Sequence, residues 1–436
     1  EEVEELMFSY PENAKSIIEA NLANRVQVVG AFDPELLPNE FNGSNNWVVA
    51  GSKTESGAPL LADDPHLGLG TPSIWYQMHL QSPEQNVSGV IFAGIPGIIL
   101  GHNEQIAWGV TNVNPDVQDL YIETVNPENP YEFEYDGEWY EAEVRDEPIK
   151  IKGGEVVDFE VITTKHGPVI SNVMLQNENP SAVFSMQWTA LEPTRELQAV
   201  VGFNKATNWE EFEEALLDFN APAQNFVFAD KSGTIAYKAN GNVPIRKKGS
   251  AELPVPGNSS EYGWESYIPY DELPRVVNPE VGYVATANNE IINEKYPYHI
   301  SNLWAQPYRY ERIVELLESK DKLSVQDMKD IQMDAKNLYA MEFLPKLLET
   351  LKASELANDY EDALKILAEW DYFDTTQQSA PLIFHHLMAN LQESLFINEM
   401  PKDLYKLMPG KAQILDEMLR EAYADEKVLW IEKRGG

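Results

Sequence analysis

Asn42-Gly43-Ser44-Asn45-Asn46-Trp47-Val48-Val49-Ala50-Gly51 decides how this chain is read. Asn and Gly form turns, and Trp and Val favour strands, so local propensity gives a turn feeding a short strand. The same residues allow a second reading, in which the Gly43–Ser44 bond is cut by the chain itself and Ser44 becomes a terminus. A terminal Ser carries its nucleophile and a base in one residue. Its hydroxyl attacks while its own α-amine, with an unperturbed pKa of about 7.7–8.0, takes the proton. Gly43 tolerates the strained backbone that such an attack requires.

Composition bounds the partners. With 436 residues, 43% of them apolar and 11% aromatic, the chain is long enough for one large domain or two to three ordinary ones and can bury a sizeable core. Acidic residues outnumber basic ones 71 to 32, a formal charge of −39. Such a surface repels nucleic acid and anionic lipid, so neither is expected as a partner. Cysteine is absent, which excludes disulfides, thiol nucleophiles and Cys-based zinc sites. No run of about 18 apolar residues occurs, so no membrane-spanning helix is expected. The chain begins with Glu, and a removed signal peptide would place the protein outside the cytoplasm: secreted, periplasmic or at the cell surface.

Along the chain, residues 1 to about 24 read as helical from Ile17, Ile18 and Leu22, and Pro34 and Pro38 make Phe32 to Asn42 a linker. Strand signals dominate from Trp47 to Ser171. Glu55-Ser56-Gly57, Asp136-Gly137 and Lys231-Ser232-Gly233 read as hairpin turns, and Val156 to Thr163 as one alternating strand. Helices are expected around Arg195–Phe203 and from an Asn208 N-cap to Phe219. Further helices are expected over Tyr308–Ser319, Val325–Ala335, Tyr339–Leu351, Glu361–Ala368, Ala380–Leu395 and Ala412–Tyr423. Strands first and helices after argue for an α+β class. The organisation is then an upstream tail over 1–43, a β-rich region over 44–290 and a mostly helical region over 291–436.

Several motifs occur in one order: Gly43-Ser44-Asn45-Asn46-Trp47, Asp63-Asp64-Pro65-His66-Leu67-Gly68, Gly101 to Asn112, Asp116 to Tyr121, Ala223-Gln224-Asn225-Phe226 with Ala229-Asp230, Gly241 to Arg246, and Gly282 to Asn289. In that order they resemble the catalytic chain of the penicillin acylase (penicillin amidase) family of N-terminal-nucleophile hydrolases. The resemblance implies two antiparallel sheets sandwiched between helical layers (αββα), incomplete here, with an added helical C-terminal region. It implies an amidohydrolase acting on linear N-acyl amides, of the penicillin or acyl-homoserine lactone kind, the latter giving quorum quenching. It also implies a zymogen that cuts itself between Gly43 and Ser44.

Residue by residue, the resemblance makes Ser44 the nucleophile that forms an acyl-enzyme and His66 the residue that orients its terminal amine. The Asn112 N–H and the Asn225 side chain form the oxyanion hole, and Arg246 holds the Asn and the substrate end. Leu67, Leu100 and Val110 line an acyl pocket suited to a flexible aliphatic chain. Asp116, Gln118 and Asp119, with Asp230 as a further donor, hold one structural Ca²⁺. Without the resemblance, His66, Asn225 and Arg246 read as ordinary structural or solvated residues, the aliphatic trio as core, and the acids as a solvated loop. Family members extend further at both ends. The expectation is therefore a fragment whose partners are a missing α-chain and the C-terminal remainder of the same precursor. Two other classes compete: a calcium-stabilised carbohydrate- or peptide-binding protein, and a metallohydrolase, whose short His/Asp/Glu ligand spacings are not found.

Overall fold

The structure is a computed structural model that describes residues 43–171, 182–249, 252–293, 295–397 and 410–424, with residues 405, 408, 428 and 430. The helix expected near the start and the linker before Gly43 lie outside these residues.

Two sheets face one another. The small one has the order β2-β1-β12, built from β1 (Gly43–Val49), β2 (Leu60–His66) and β12 (Tyr283–Thr286), all antiparallel. The large one has seven strands in the order β11-β10-β9-β6-β5-β4-β3. They are β3 (Trp75–Ser82), β4 (Gln85–Phe92), β5 (Leu100–Asn103), β6 (Ile106–Asn112), β9 (Gln224–Asp230), β10 (Ile235–Asn240) and β11 (Arg275–Val277). Every pairing in it is antiparallel. Between β6 and β9 the chain adds β7 (Gln118–Glu123), paired with β8 (Val183–Trp188) in a separate sheet.

Alternation along the strands sorts side chains into layers. On β1, Trp47 and Val49 point outward to Ile313, Leu317, Met328 and Ile331 of α3 (Tyr308–Glu318) and α4 (Val325–Gln332). Val48 points inward to Val227, Ala229, Ile235 and Tyr237 of the large sheet. On the far face, Trp108, Phe226 and Phe228 pack under α1 (Glu196–Lys205) and α2 (Trp209–Leu216) through Val200, Phe203 and Phe212. The order is therefore helix, sheet, sheet, helix, the expected αββα sandwich. β1 and β9 are covered on both faces, which is why Trp47-Val48-Val49 and Phe226-Val227-Phe228 are unbroken apolar runs.

The sequence signals mostly hold. Asp136 and Gly137 both have positive φ, 51° and 82°, as a two-residue hairpin between Asn129–Tyr135 and Glu138–Glu141 demands. The Asn208 side chain caps α2 by accepting from the Glu211 N–H, and a Ser324–Asp327 capping box opens α4. The remaining helices, α5 (Leu338–Ala353), α6 (Glu361–Ala368), α7 (Ala380–Phe396) and α8 (Lys411–Tyr423), share a core around Phe343, Leu367, Trp370, Phe384 and Leu415. Val156 to Thr163 is not one strand. Val156–Val157 pairs with Ile149–Lys150, and Glu160–Thr164 pairs with Glu143–Asp146. The facing segment is interrupted at Pro148, which has no N–H for a ladder. Glu55-Ser56-Gly57 lies in a long β1–β2 connection that is not a tight turn and opens with a short 3₁₀ turn, Gly51–Lys53. Among the described residues no helix is long and apolar enough to cross a membrane.

One close approach sets the spacing of the two sheets. A Cβ on Gly109 of β6 would lie 2.5 Å from Asp63 Oδ1 and 2.8 Å from its Cβ and Cγ, so the Asp63 side chain from β2 rests on bare backbone. Gly109→Ala should cost about 1–3 kcal/mol by overpacking. In an Asp63→Ala background the cost should fall, because the obstructing carboxylate is gone. Denaturant melts of the four proteins of that cycle test the coupling.

Candidate active site

Ser44 is the second residue of β1 and, by alternation, shares the inward face with Asn46 and Val48. It is buried, 6% exposed, although it stands one residue from the start of the strand. Its backbone N–H donates to Asn288 Oδ1 at 2.8 Å, and its carbonyl accepts from Arg309 Nη1 at 2.9 Å. Asn288 follows β12 with φ of 63°, a left-handed conformation that Asn tolerates better than most residues. Its Nδ2 donates to the Asn112 carbonyl at 3.0 Å, where β6 ends.

Asn225 converges on the same carbonyl. Antiparallel pairing sets it opposite Thr111, and its Nδ2 donates to Asn112 O at 3.1 Å and to Thr111 Oγ1 at 3.2 Å. The Tyr237 hydroxyl donates to Asn225 Oδ1 at 2.7 Å, which orients the amide with its NH₂ toward β6. Thr111 and Thr286 hydroxyls meet at 2.6 Å, and Thr286 Oγ1 donates to Asn46 Oδ1 at 2.7 Å. A hydrogen-bonded seam thus runs from β9 through β6 and β12 to β1, between two apolar layers. Burial pushes the Tyr237 hydroxyl pKa far up, so it stays a donor.

His66 lies opposite Gly43 in the β1–β2 register, and its Nε2 is 2.9 Å from Asp64 Oδ2, which fixes the ring at the Gly43 end of β1. Next to it in sequence, Asp63 has both carboxylate oxygens out of solvent. The Asn46 amide and the Val110 backbone lie beside it without reaching hydrogen-bond geometry. They only partly offset burial, which holds its pKa well above the carboxylate range.

The remaining expected residues are placed differently. Arg246 bonds the Asp116–Asp119 segment and not Asn225: its Nε donates to Asp119 Oδ1 and Oδ2 at 3.1 and 2.8 Å and its Nη2 to the Asp116 carbonyl at 2.6 Å. Trp264 Nε1 adds a bond to Asp119 Oδ2 at 2.6 Å. Asp116 Oδ2 faces His299 Nε2 and Asn302, and the Gln118 side chain is exposed. Asp230 pairs with Ile106 at the opposite end of β6 from Asn112, about 20 Å along the strand, and accepts from Ser232 and Thr234 in its own hairpin. Calcium takes six to eight oxygens. The Asp116–Asp119 donors, one carboxylate already engaged by a guanidinium, do not form that cage, and among the described residues no group of three or more acidic or His side chains does. Of the acyl-pocket trio, Leu100 is buried, Val110 packs against the cluster under α1 and α2, and Leu67 lies half-buried just beyond β2.

Four residues that hold the site were given no role by sequence reasoning: Thr111, Tyr237, Asn288 and Arg309. Asn288 sits in a motif already noted; Arg309 lies at the start of an expected helix, with nothing local to mark it.

Two facing antiparallel sheets between helical layers, with the candidate nucleophile at the edge of an inner strand, define the N-terminal-nucleophile hydrolase fold. The fold matches that of a thermostable penicillin G acylase from Alcaligenes faecalis with a TM-score of 0.70 at 24% identity, over 84% of this chain and 66% of that one. The penicillin amidase family model matches residues 4–435, and the chain belongs to that family. It is 31% identical over 338 residues to acyl-homoserine lactone acylase QuiP of Pseudomonas fluorescens, covering 75% of this chain and 39% of the relative. To penicillin acylase 2 proenzyme of a Pseudomonas species it is 31% identical over 293 residues, 67% of this chain and 37% of the relative. To penicillin G acylase of Escherichia coli it is 29% identical over 333 residues, 75% and 39% respectively. The chain thus matches less than half the length of each of these relatives.

The Arg246–Asp119 pair is dry, with side chains 5% and 7% exposed. Asp119→Ala should therefore destabilise the protein by about 3–5 kcal/mol, because it leaves a buried guanidinium without its partner. A urea melt of the variant against the parent measures this.

Proposed function

We propose that the full-length protein hydrolyses N-acyl amides through an acyl-enzyme on Ser44, made terminal by self-cleavage after Gly43. The observation that carries the reading is that Asn288, which accepts from the Ser44 N–H, and Asn225 both donate to the Asn112 carbonyl. The nucleophile and an amide-NH₂ donor lie within one short network, as attack on a carbonyl requires.

In this reading Ser44 Oγ attacks the substrate carbonyl carbon and its proton passes to the Ser44 α-amine. The developing oxyanion takes hydrogen bonds from the Asn112 N–H and from Asn225 Nδ2, which exchanges one of its present acceptors for it. The C–N bond breaks, the α-amine returns the proton to the leaving amine, and water hydrolyses the ester to free the acid. His66, steadied by Asp64, orients the α-amine. Leu67, Leu100 and Val110 offer aliphatic surface to an acyl chain. The relatives' names point to penicillins and acyl-homoserine lactones as amide classes to assay. A structural calcium ion at Asp116–Asp119 belongs to the proposal only with oxygen ligands from outside the described residues, and no step passes through it.

Intact-mass analysis of the full-length protein should find a chain beginning at Ser44, and Ser44→Ala should leave the precursor uncut. Asn225→Ala should lower turnover of acyl amides by about 10²–10³-fold in a matured, folded enzyme. Normal turnover by that variant would remove Asn225 from the oxyanion hole.

A further inference from the structure

The Ser44 backbone is clamped by two residues to which the mechanism above assigns nothing: Asn288 at its nitrogen, and Arg309 at its carbonyl and at Asn288. Asn288 Oδ1 accepts from the Ser44 N–H at 2.8 Å and from Arg309 Nη2 at 3.1 Å. Arg309 Nη1 donates to Ser44 O at 2.9 Å and to Asn45 Oδ1 at 2.6 Å. The clamp also presses on the other side of the scissile bond. A Cβ on Gly43 would stand 3.2 Å from Arg309 Nη2 and 3.4 Å from Asn288 Oδ1, so a residue larger than glycine would push the pair away.

We propose that Asn288 and Arg309 are a positioning pair for the Ser44 α-nitrogen, first in self-cleavage and then in turnover; this rests on Ser44 being a terminal nucleophile. In self-cleavage Ser44 Oγ bonds to the Gly43 carbonyl carbon and the Gly43–Ser44 C–N bond breaks. The hydroxyl proton ends on the departing nitrogen, and water then hydrolyses the ester to a Gly43 carboxylate and a free Ser44. With its N–H held by Asn288 Oδ1, the nitrogen develops its lone pair away from Asn288, free to receive that proton. After cleavage the same oxygen accepts one amine N–H and leaves the lone pair for Oγ. Through Nδ2 on Asn112 O, Asn288 also ties the nitrogen to the strand end that carries the oxyanion donor.

Arg309 adds charge to geometry. Its guanidinium stays protonated and cannot act as a base. A fixed positive charge beside the α-amine disfavours the ammonium form and keeps the base free near neutral pH. The other ionisable groups around the nitrogen are Asp64 and His66 on β2, bonded to each other, Asp63 buried beneath them, and Tyr237 on the large sheet, bonded to Asn225. Asp64 acts in the opposite sense to Arg309, but it is Arg309 that reaches Ser44 itself. The facing residues Thr111, Asn112, Thr286 and Asn288 are uncharged.

The test uses the full-length precursor as wild type, Asn288→Ala, Arg309→Lys and Arg309→Gln, each checked by thermal melting. Mass spectrometry follows the appearance of the chain starting at Ser44, and kcat/KM for an acyl amide is recorded against pH on the matured protein. Asn288→Ala should slow maturation about tenfold or more, the loss of one well-aligned hydrogen bond to a reacting atom. Arg309→Gln, which keeps a donor and loses the charge, should move the acid limb of the profile up by about one pH unit. Arg309→Lys should leave that limb in place. Folded Asn288→Ala maturing at the wild-type rate, or an acid limb equal in the Gln and Lys variants, overturns the proposal. If Arg309→Gln does not fold, the maturation rate of Asn288→Ala decides. A wild-type precursor that never yields a Ser44 terminus would instead overturn the terminal-nucleophile reading, a distinct result.

Discussion

The hydrogen-bonded seam between the two sheets is the constraint on which the site depends. Two layers of apolar side chains meet around Val48, Val227, Ala229 and Ile235, and into that dry contact the chain inserts Asn46, Thr111, Asn225 and Thr286. Polar groups so placed are costly unless each finds a partner. Most of them do, and each bond crosses between strands distant in sequence: Thr286 to Asn46, Thr286 to Thr111, Asn225 to Thr111. The seam therefore fixes the register of the small sheet on the large one, and with it the position of Ser44 relative to Asn225. Stability and placement come from the same bonds.

Where the seam is incomplete, the structure is most specific. Asp63 and the Asn46 amide nitrogen are buried without hydrogen-bond partners among the described residues, and the Asp63 side chain rests on the bare backbone of Gly109. Burial favours the neutral acid there, which avoids a second negative charge next to Asp64. Arg246 shows the opposite solution. Its charge is matched by Asp119, with a further bond to the Asp116 carbonyl, while the Trp264 indole N–H donates to the same carboxylate, so a buried guanidinium is paired at the start of β7. One buried ionisable group is kept neutral and the other is paired.

How far the site was legible varied from residue to residue. Asn225 and Ser44 stand out through their motifs, and the structure links them through Asn288 and the Asn112 carbonyl. Arg246 was expected at Asn225 and instead holds Asp119, because the hairpin formed by Pro244–Arg246 and Trp264–Tyr267 sets it over β7. Asp230, expected as a further donor with Asp116 and Asp119, lies at the Ile106 end of β6, the length of that strand from Asn112. Tyr237, Asn288 and Arg309 carry no local mark of function. A tyrosine in an alternating strand, an asparagine after a strand and an arginine opening a helix are ordinary, and their roles arise from partners between 12 and 265 residues away.

By itself the sequence determined the local elements. Helical periodicity and the Asn208 and Ser324 caps set the helices, and Asp-Gly set a hairpin, because these depend on residues within a few positions of one another. Tertiary structure alone decided which of the many amides and charges face Ser44. That choice follows from the stacking of one sheet on another, where side chains far apart in the chain must satisfy each other's hydrogen bonds out of water.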